Sequence, residues 1–212
     1  VTSPETRTQR RAAANRRSVI EAAREIIATD GPAALTLEAV AERADVAVQT
    51  IYNRVGGRSA LLTAVAELAM EENRAYMDAA YATSGTFEER LMRAAGEYAR
   101  FARERPHEFR ILSDQPHEPE TRERIAELTR EQNGKLADIL RAAMAAGTAR
   151  QDLDPDLVAT ALWASFDGLL SLASRTDSLR ADGSEIDLLI AIFSATVADG
   201  LRARPPIDTV HE

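Results

Sequence analysis

Apolar residues recur at three- and four-residue spacing along almost the whole chain, and no run alternates apolar and polar positions at period two, so the pattern predicts an all-α protein of about nine helices. A first helix, after a basic arm reaching about Arg11, carries Val19, Ala22, Ala23, Ile26 and Ile27 on one face and stops at Gly31-Pro32. Leu37, Val40 and Ala41 mark a short second helix capped by Thr36, and Val46, Ile51 and Val55 resume the apolar face on a short third one. A long fourth helix follows Gly56-Gly57, from about Arg58 to Ala82. Thr86 with Glu89 forms a capping box for a fifth, Phe87 to about Arg103. A sixth runs from about His107 to Ser113 and a seventh from about Glu120 to Ala146. Asp154-Pro155-Asp156 opens the eighth, which continues to about Ser174. Ser184, with Asp187 three residues on, caps the ninth, and Pro205-Pro206 ends it.

The two short helices around Ala44-Asp45-Val46 cannot bury both their apolar faces alone and need the first helix behind them, which makes a helix-turn-helix. Its outer face is Gln49, Thr50, Tyr52 and Asn53. Two positions are weak locally. Asp45 stands where the chain passes through a left-handed conformation that glycine adopts most cheaply, and Ala47 stands at an N-cap without a side-chain acceptor.

The net charge of −8 changes the picture once it is divided along the chain. Residues 1–60 hold nine Arg and seven acids, a net of +2, and the first 17 residues, with five Arg against Glu5, carry +4 of their own. A small polyanion-binding head on an acidic body has this distribution. The chain has no cysteine, so disulfides and thiolate metal sites are excluded. The N-terminal arginines have no apolar stretch behind them, and the longest charge-free run near the C-terminus, Leu188 to Ala198, is about half of what spans a bilayer. A cytoplasmic location is the expectation. Among the three histidines no helical i,i+4 pair occurs, and no HExxH, nucleophile elbow or phosphate loop is present, so no enzyme, cofactor or metal site is expected.

The stretch GPAALTLEAVAERADVAVQTIYNRVGGRSALL resembles the front of the tetracycline-repressor (TetR) family of transcriptional regulators. Thr36, Val40-Ala41, Ala44-Asp45-Val46, Tyr52, Val55, Arg58 and Leu61-Leu62 occupy the family's places for the opening threonine, the Ile/Val-Ala pair, the turn, the recognition-helix tyrosine, a phenylalanine, a lysine and Leu-Leu. The departures are Asp45 for Gly, Ala47 for Ser or Thr, Val55 for Phe and Arg58 for Lys. Beyond residue 65 the resemblance is one of helix number and length. It implies a DNA-binding domain over residues 1–57 and a ligand-binding and dimerisation domain over residues 58–212. It also implies a homodimeric repressor on a near-palindromic operator, released by a small-molecule effector.

Several residues fit such roles. Gln49 and Asn53 have amides that can pair with adenine edges, and Val48 or the Thr50 methyl can meet a thymine methyl. Thr36, Tyr52 and Arg58 are placed for phosphates, while Arg10, Arg11, Arg16 and Arg17 belong either to a DNA-gripping arm or to a plain disordered tail. For dimerisation, Val158, Leu162 and Leu169 on the eighth helix and Ile186, Ile190, Phe193 and Val197 on the ninth form apolar faces, with the ninth apolar nearly all round through Leu188, Ile192 and Ala195. An effector cavity could draw on Met77, Phe101, Phe109, Leu112, Gln132, Trp163, Phe166 and Asp167, the last needing a partner if ionised. The reading from another class is a helical small-molecule-binding protein or enzyme without DNA binding.

Overall fold

A computed structural model of the chain describes residues 7–114 and 116–203. Among these residues there are nine α-helices and no strand: α1 (Arg7–Asp30), α2 (Leu37–Arg43), α3 (Val48–Arg54), α4 (Arg58–Tyr81), α5 (Phe87–Glu104), α6 (Pro106–Ser113), α7 (Pro119–Ala145), α8 (Pro155–Ser171) and α9 (Gly183–Leu201). They form two compact units, Val1–Glu72 with Pro106–Leu128, and Asn73–Arg105 with Thr129–Glu212.

In the first unit α1 lies against α2 and α3. Val19, Leu35, Val40, Ile51, Leu61 and Val65 are wholly buried in one core, so each helix contributes the apolar stripe its periodicity marked. Local chemistry fixes the ends. The Thr36 hydroxyl accepts the Ala39 N–H at 3.1 Å, and Asp45 is the described non-glycine residue with positive φ, at 52°. That conformation lets the Val46 N–H reach back to the Ala41 carbonyl at 3.0 Å and closes the turn. At Gly56, φ is 115° and an added Cβ would come to 2.9 Å from the Ala60 Cβ, so only glycine joins α3 to α4 here.

Among the described residues of this unit, charge is buried where Glu108 meets Arg24. Arg24 of α1 sets its guanidinium 2.6 Å from Glu72, 3.4 Å from Glu21 and 3.4 Å from Glu108. Glu108 is buried in α6, and a carboxylate there is tolerable only against such a partner.

In the second unit α5 packs on α8 and α9, and α8 on α9. Leu91, Leu140, Ala159, Leu162 and Leu201 belong to its main core, while Met77, Ala80 and Ala94 form a smaller cluster with Tyr81 and Tyr98 beside it. The capping box at Thr86 and Glu89 and the Asp154 cap are formed as the sequence indicates.

Three local readings change. The first helix begins at Arg7 among the described residues, so Arg10 and Arg11 are helical and not part of an arm; the run of Arg, Gln and Ala there has ample helix propensity. The ninth helix is capped by Asp182 instead of Ser184. The Asp182 carboxylate accepts from the Ser184 and Glu185 amides at 2.8 and 3.0 Å, and Glu185 returns a bond to the Asp182 N–H. Gly183 then falls inside the first turn, where glycine is harmless because the cap satisfies the N–H groups there. Pro205-Pro206 lies outside the described residues, and the helix itself ends at Leu201.

The buried charge yields a test. Arg24→Met should lower unfolding stability by about 3 kcal/mol, because it leaves Glu108 buried without its cation. Urea unfolding of this variant and of the double variant Arg24→Met/Glu108→Leu checks it: the second change should recover most of the loss.

Candidate nucleic-acid interface and ligand-binding residues

The geometry of α3 follows from its anchor. Ile51 is wholly buried, and Val48 and Val55 pack against the same core. Val48 therefore turns toward the protein and Thr50 is half-buried, which leaves Gln49, Tyr52 and Asn53 as the open face at i, i+3 and i+4. Tyr52 is 54% exposed, and its ring passes beside Gly57, where a Cβ would stand 4.0 Å from Tyr52 Cε1. The Gln49 amide nitrogen donates to the Asn53 side-chain oxygen at 3.1 Å. One amide oxygen and one amide nitrogen of the pair remain outward, an acceptor and a donor side by side. That is the complement of the N6 and N7 edge of adenine.

The flanking residues divide. Thr36 is exposed at the start of α2 and keeps its hydroxyl proton available beyond the cap. Arg58 is engaged within the protein: its Nε donates to the Leu35 carbonyl at 2.9 Å, Nη2 to the Pro32 carbonyl at 2.7 Å, and Nη1 pairs with Glu118. This residue holds the approach to α2, a role that nothing in its sequence position announced. Arg10, Arg11, Arg16 and Arg17 are all exposed on α1, with Arg10 and Arg17 on one face and the other two to either side of it.

The residues considered for an effector do not all come together in one unit. Met77, Phe101, Gln132, Trp163, Phe166 and Asp167 fall in the second, Phe109 and Leu112 in the first. Asp167 finds the partner its position called for in Tyr98 of α5, whose hydroxyl donates to it at 3.0 Å. The Trp163 side chain, one turn earlier on α8, stands beside the same phenol. Burial, then the charge and bond of Asp167, push the Tyr98 phenol well above its ordinary range, so it remains a donor. Phe166 packs edge-on against Phe193, ring centres 5.1 Å apart, and Phe101 against Tyr76 at 5.6 Å.

Gln132 stands apart. It is buried, and neither its amide oxygen nor its nitrogen has a partner in the protein; the amide nitrogen of buried Asn73 is in the same position. Ion pairs Arg74–Glu131 at 2.7 Å and Lys135–Asp78 at 2.6 Å set α7 beside α4 in register, level with the turn that carries Met77. One whole amide and one amide nitrogen without protein partners in the interior are costly unless something else bonds them.

The faces expected to pair between protomers are turned. Leu162, Ile186 and Ile190 are buried, and Val158, Phe193 and Val197 pack on the core of their own unit. Leu169 is half-buried. The open apolar stripes lie on the other sides of the same helices: Leu157 (69% exposed), Ala161 and Ala164 on α8, and Leu188 (61%), Ile192 (57%) and Ala195 on α9. Helical periodicity named both stripes on α9, but it cannot rank them when a helix is apolar all round. The stretch Pro155–Ser174 is long and apolar enough to cross a bilayer by length and composition alone, and 22% of its most apolar 18-residue window is buried. Among the described residues no three His, Asp or Glu side chains gather in a way that could hold a metal ion.

The lone amide gives a prediction. Gln132→Leu should raise stability by ~1 kcal/mol or more in thermal or urea unfolding, because it removes a buried polar group without a partner. A fall in stability would mean that the amide is satisfied in the folded protein.

Comparison with known proteins adds the following. Residues 19–65 match the family described as bacterial regulatory proteins, tetR family. Residues 91–188 match one described as tetracyclin repressor-like, C-terminal domain. No curated protein matches the chain. Among solved structures, a protein of unknown function from Rhodococcus sp. RHA1 is 25% identical with a TM-score of 0.75, over 90% of this chain and 96% of that one. The fatty acid degradation regulator FadR from Bacillus halodurans is 20% identical at a TM-score of 0.73, over 90% and 97%. A bacterial regulatory protein in the tetR family from Rhodococcus RHA1 is 18% identical at 0.67, over 90% and 98%.

Proposed function

The chain belongs to the TetR family of bacterial regulatory proteins and is a DNA-binding transcriptional regulator, and on that premise we propose that it acts as a homodimeric repressor of a near-palindromic operator, released by a small molecule. Residues 1–57 are the DNA-reading part and residues 58–212 the ligand-binding and dimerising part. The protein works in the cytoplasm as a regulator and not as an enzyme. The observation that carries this reading is the open face of α3, where Gln49, Tyr52 and Asn53 stand exposed on a helix anchored from behind by Ile51.

On this reading Gln49 and Asn53 read a base edge, Tyr52 and Thr36 bond phosphates, and the exposed arginines of α1 add sequence-independent attraction. Val48 and Thr50 stand closer to the core and supply at most a methyl contact. Arg58 serves by holding the start of α2 in place. Dimerisation uses the open stripes of α8 and α9, which in two copies form an isologous four-helix contact. The effector lodges in the second unit, where Gln132 supplies a polar anchor and the Tyr98–Asp167 pair a second one.

Two experiments test it. In a gel-shift titration against the selected operator, Gln49→Ala should cost about 1–3 kcal/mol at one base pair per half-site and little at the others. A uniform loss across all positions would remove Gln49 from base reading. Ile192→Asp, on the open stripe of α9, should leave the fold intact and shift the sedimenting species from twice the 23.1 kDa chain mass to the chain mass. A dimer that survives this change would place the contact elsewhere.

A further inference from the structure

The first unit contains a cavity of about 260 Å³, walled by Ile27 of α1, Leu62 and Ala66 of α4, Ile111 of α6 and Ile125 of α7. None of the residues considered above for the effector lines it. An apolar cavity of about 150 Å³ holds benzene, so this one holds a molecule of roughly ten non-hydrogen atoms. Its lining also includes the polar side chains of Arg58, Arg110, His107, His117, Asp114 and Glu118.

The balance of bonds among these side chains selects the ligand. Glu118 is committed to Arg58. Asp114, itself 71% exposed, lies 3.8 Å from the Arg110 Nε, beyond hydrogen-bond reach. Arg58 spends three of its N–H groups on Glu118 and the Pro32 and Leu35 carbonyls, which leaves two of a guanidinium's five. Arg58 and Arg110 keep unspent guanidinium donors, which a carboxylate complements, and the exposed Asp114 is the acceptor it would displace from Arg110.

We propose that this cavity is a ligand site for a small amphipathic monocarboxylate, its apolar body between Ile27, Leu62 and Ile125 and its carboxylate on Arg110 and the free edge of Arg58. Such an anion competes with Glu118 for Arg58. Arg58 bonds the carbonyls of Pro32 and Leu35, just ahead of the Thr36 cap, so occupancy acts directly on the seating of α2 and α3. Its consequence for DNA rests on reading α3 as the recognition helix; binding itself does not.

Isothermal titration calorimetry of the full chain without DNA tests the site, with 3-phenylpropanoate as probe and 3-phenylpropan-1-ol and 3-phenylpropylamine as neutral and cationic controls. The carboxylate should bind once per chain, and the controls at least about tenfold more weakly, the scale of one lost charge-assisted bond. Arg110→Gln should weaken the carboxylate by about tenfold and leave the alcohol unchanged. Ala33→Trp, a change at an exposed residue of the lining, should block all three. The proposal is overturned if wild-type protein takes up no carboxylate, if the alcohol or amine binds as well, or if both variants bind the carboxylate as tightly as the parent. A gel shift with and without the probe separates the two layers. Unliganded protein that never shifts DNA sinks the reading of α3 and leaves the site standing, whereas operator affinity unmoved by saturating probe sinks the coupling through Arg58.

Discussion

A seven-residue helix has no stability of its own, and what this chain can do with α3 depends on the burial of Ile51 in the core shared with Val19, Val40, Leu61 and Val65. That one anchor sets the rotation of the helix. With Ile51 inward, Gln49, Tyr52 and Asn53 must face out, and the Asp45 turn and Gly56 junction hold the two ends to that rotation. The weak cap at Ala47, which gives no side-chain bond, is tolerable because tertiary burial supplies what the local sequence does not. Arg58 extends the same constraint to the segment ahead of α2 by bonding two of its carbonyls.

In the second unit the interior and the surface each break a rule of ordinary folding. Inside, the Gln132 amide and the amide nitrogen of Asn73 have no protein partner. Outside, Leu157, Leu188 and Ile192 hold large apolar side chains in water. Features of both kinds cost stability in an isolated chain, and both are accounted for if each has a partner in the working protein: a ligand for the amides, a second copy of the chain for the stripes.

Much of the fold was legible because it rests on local chemistry. Helix starts at Thr36, Thr86 and Asp154, the left-handed turn at Asp45 and the inward stripes of α1 to α4 follow from periodicity and capping. What could not be read is what depends on partners far along the chain. Arg58 looks like any basic residue opening a helix until Pro32, Leu35 and Glu118 are seen around it. Asp167 looks isolated until Tyr98 meets it from α5. The stripe of α9 that stays open was indistinguishable from the one that packs inward, since both are apolar at the same spacing. The Asp182 cap was masked by a following glycine, a residue whose meaning depends on which side of a helix boundary it stands.

The most direct test of the central claim, that the face opposite Ile51 reads DNA in pairs, is a hydroxyl-radical footprint of the protein on DNA selected by the protein itself from random sequence. The account predicts two protected patches with related sequences, centred about one helical turn, or a multiple of one, apart, and lost as salt is raised. A single patch without an inverted partner, or protection indifferent both to sequence and to the identity of residue 49, would contradict it.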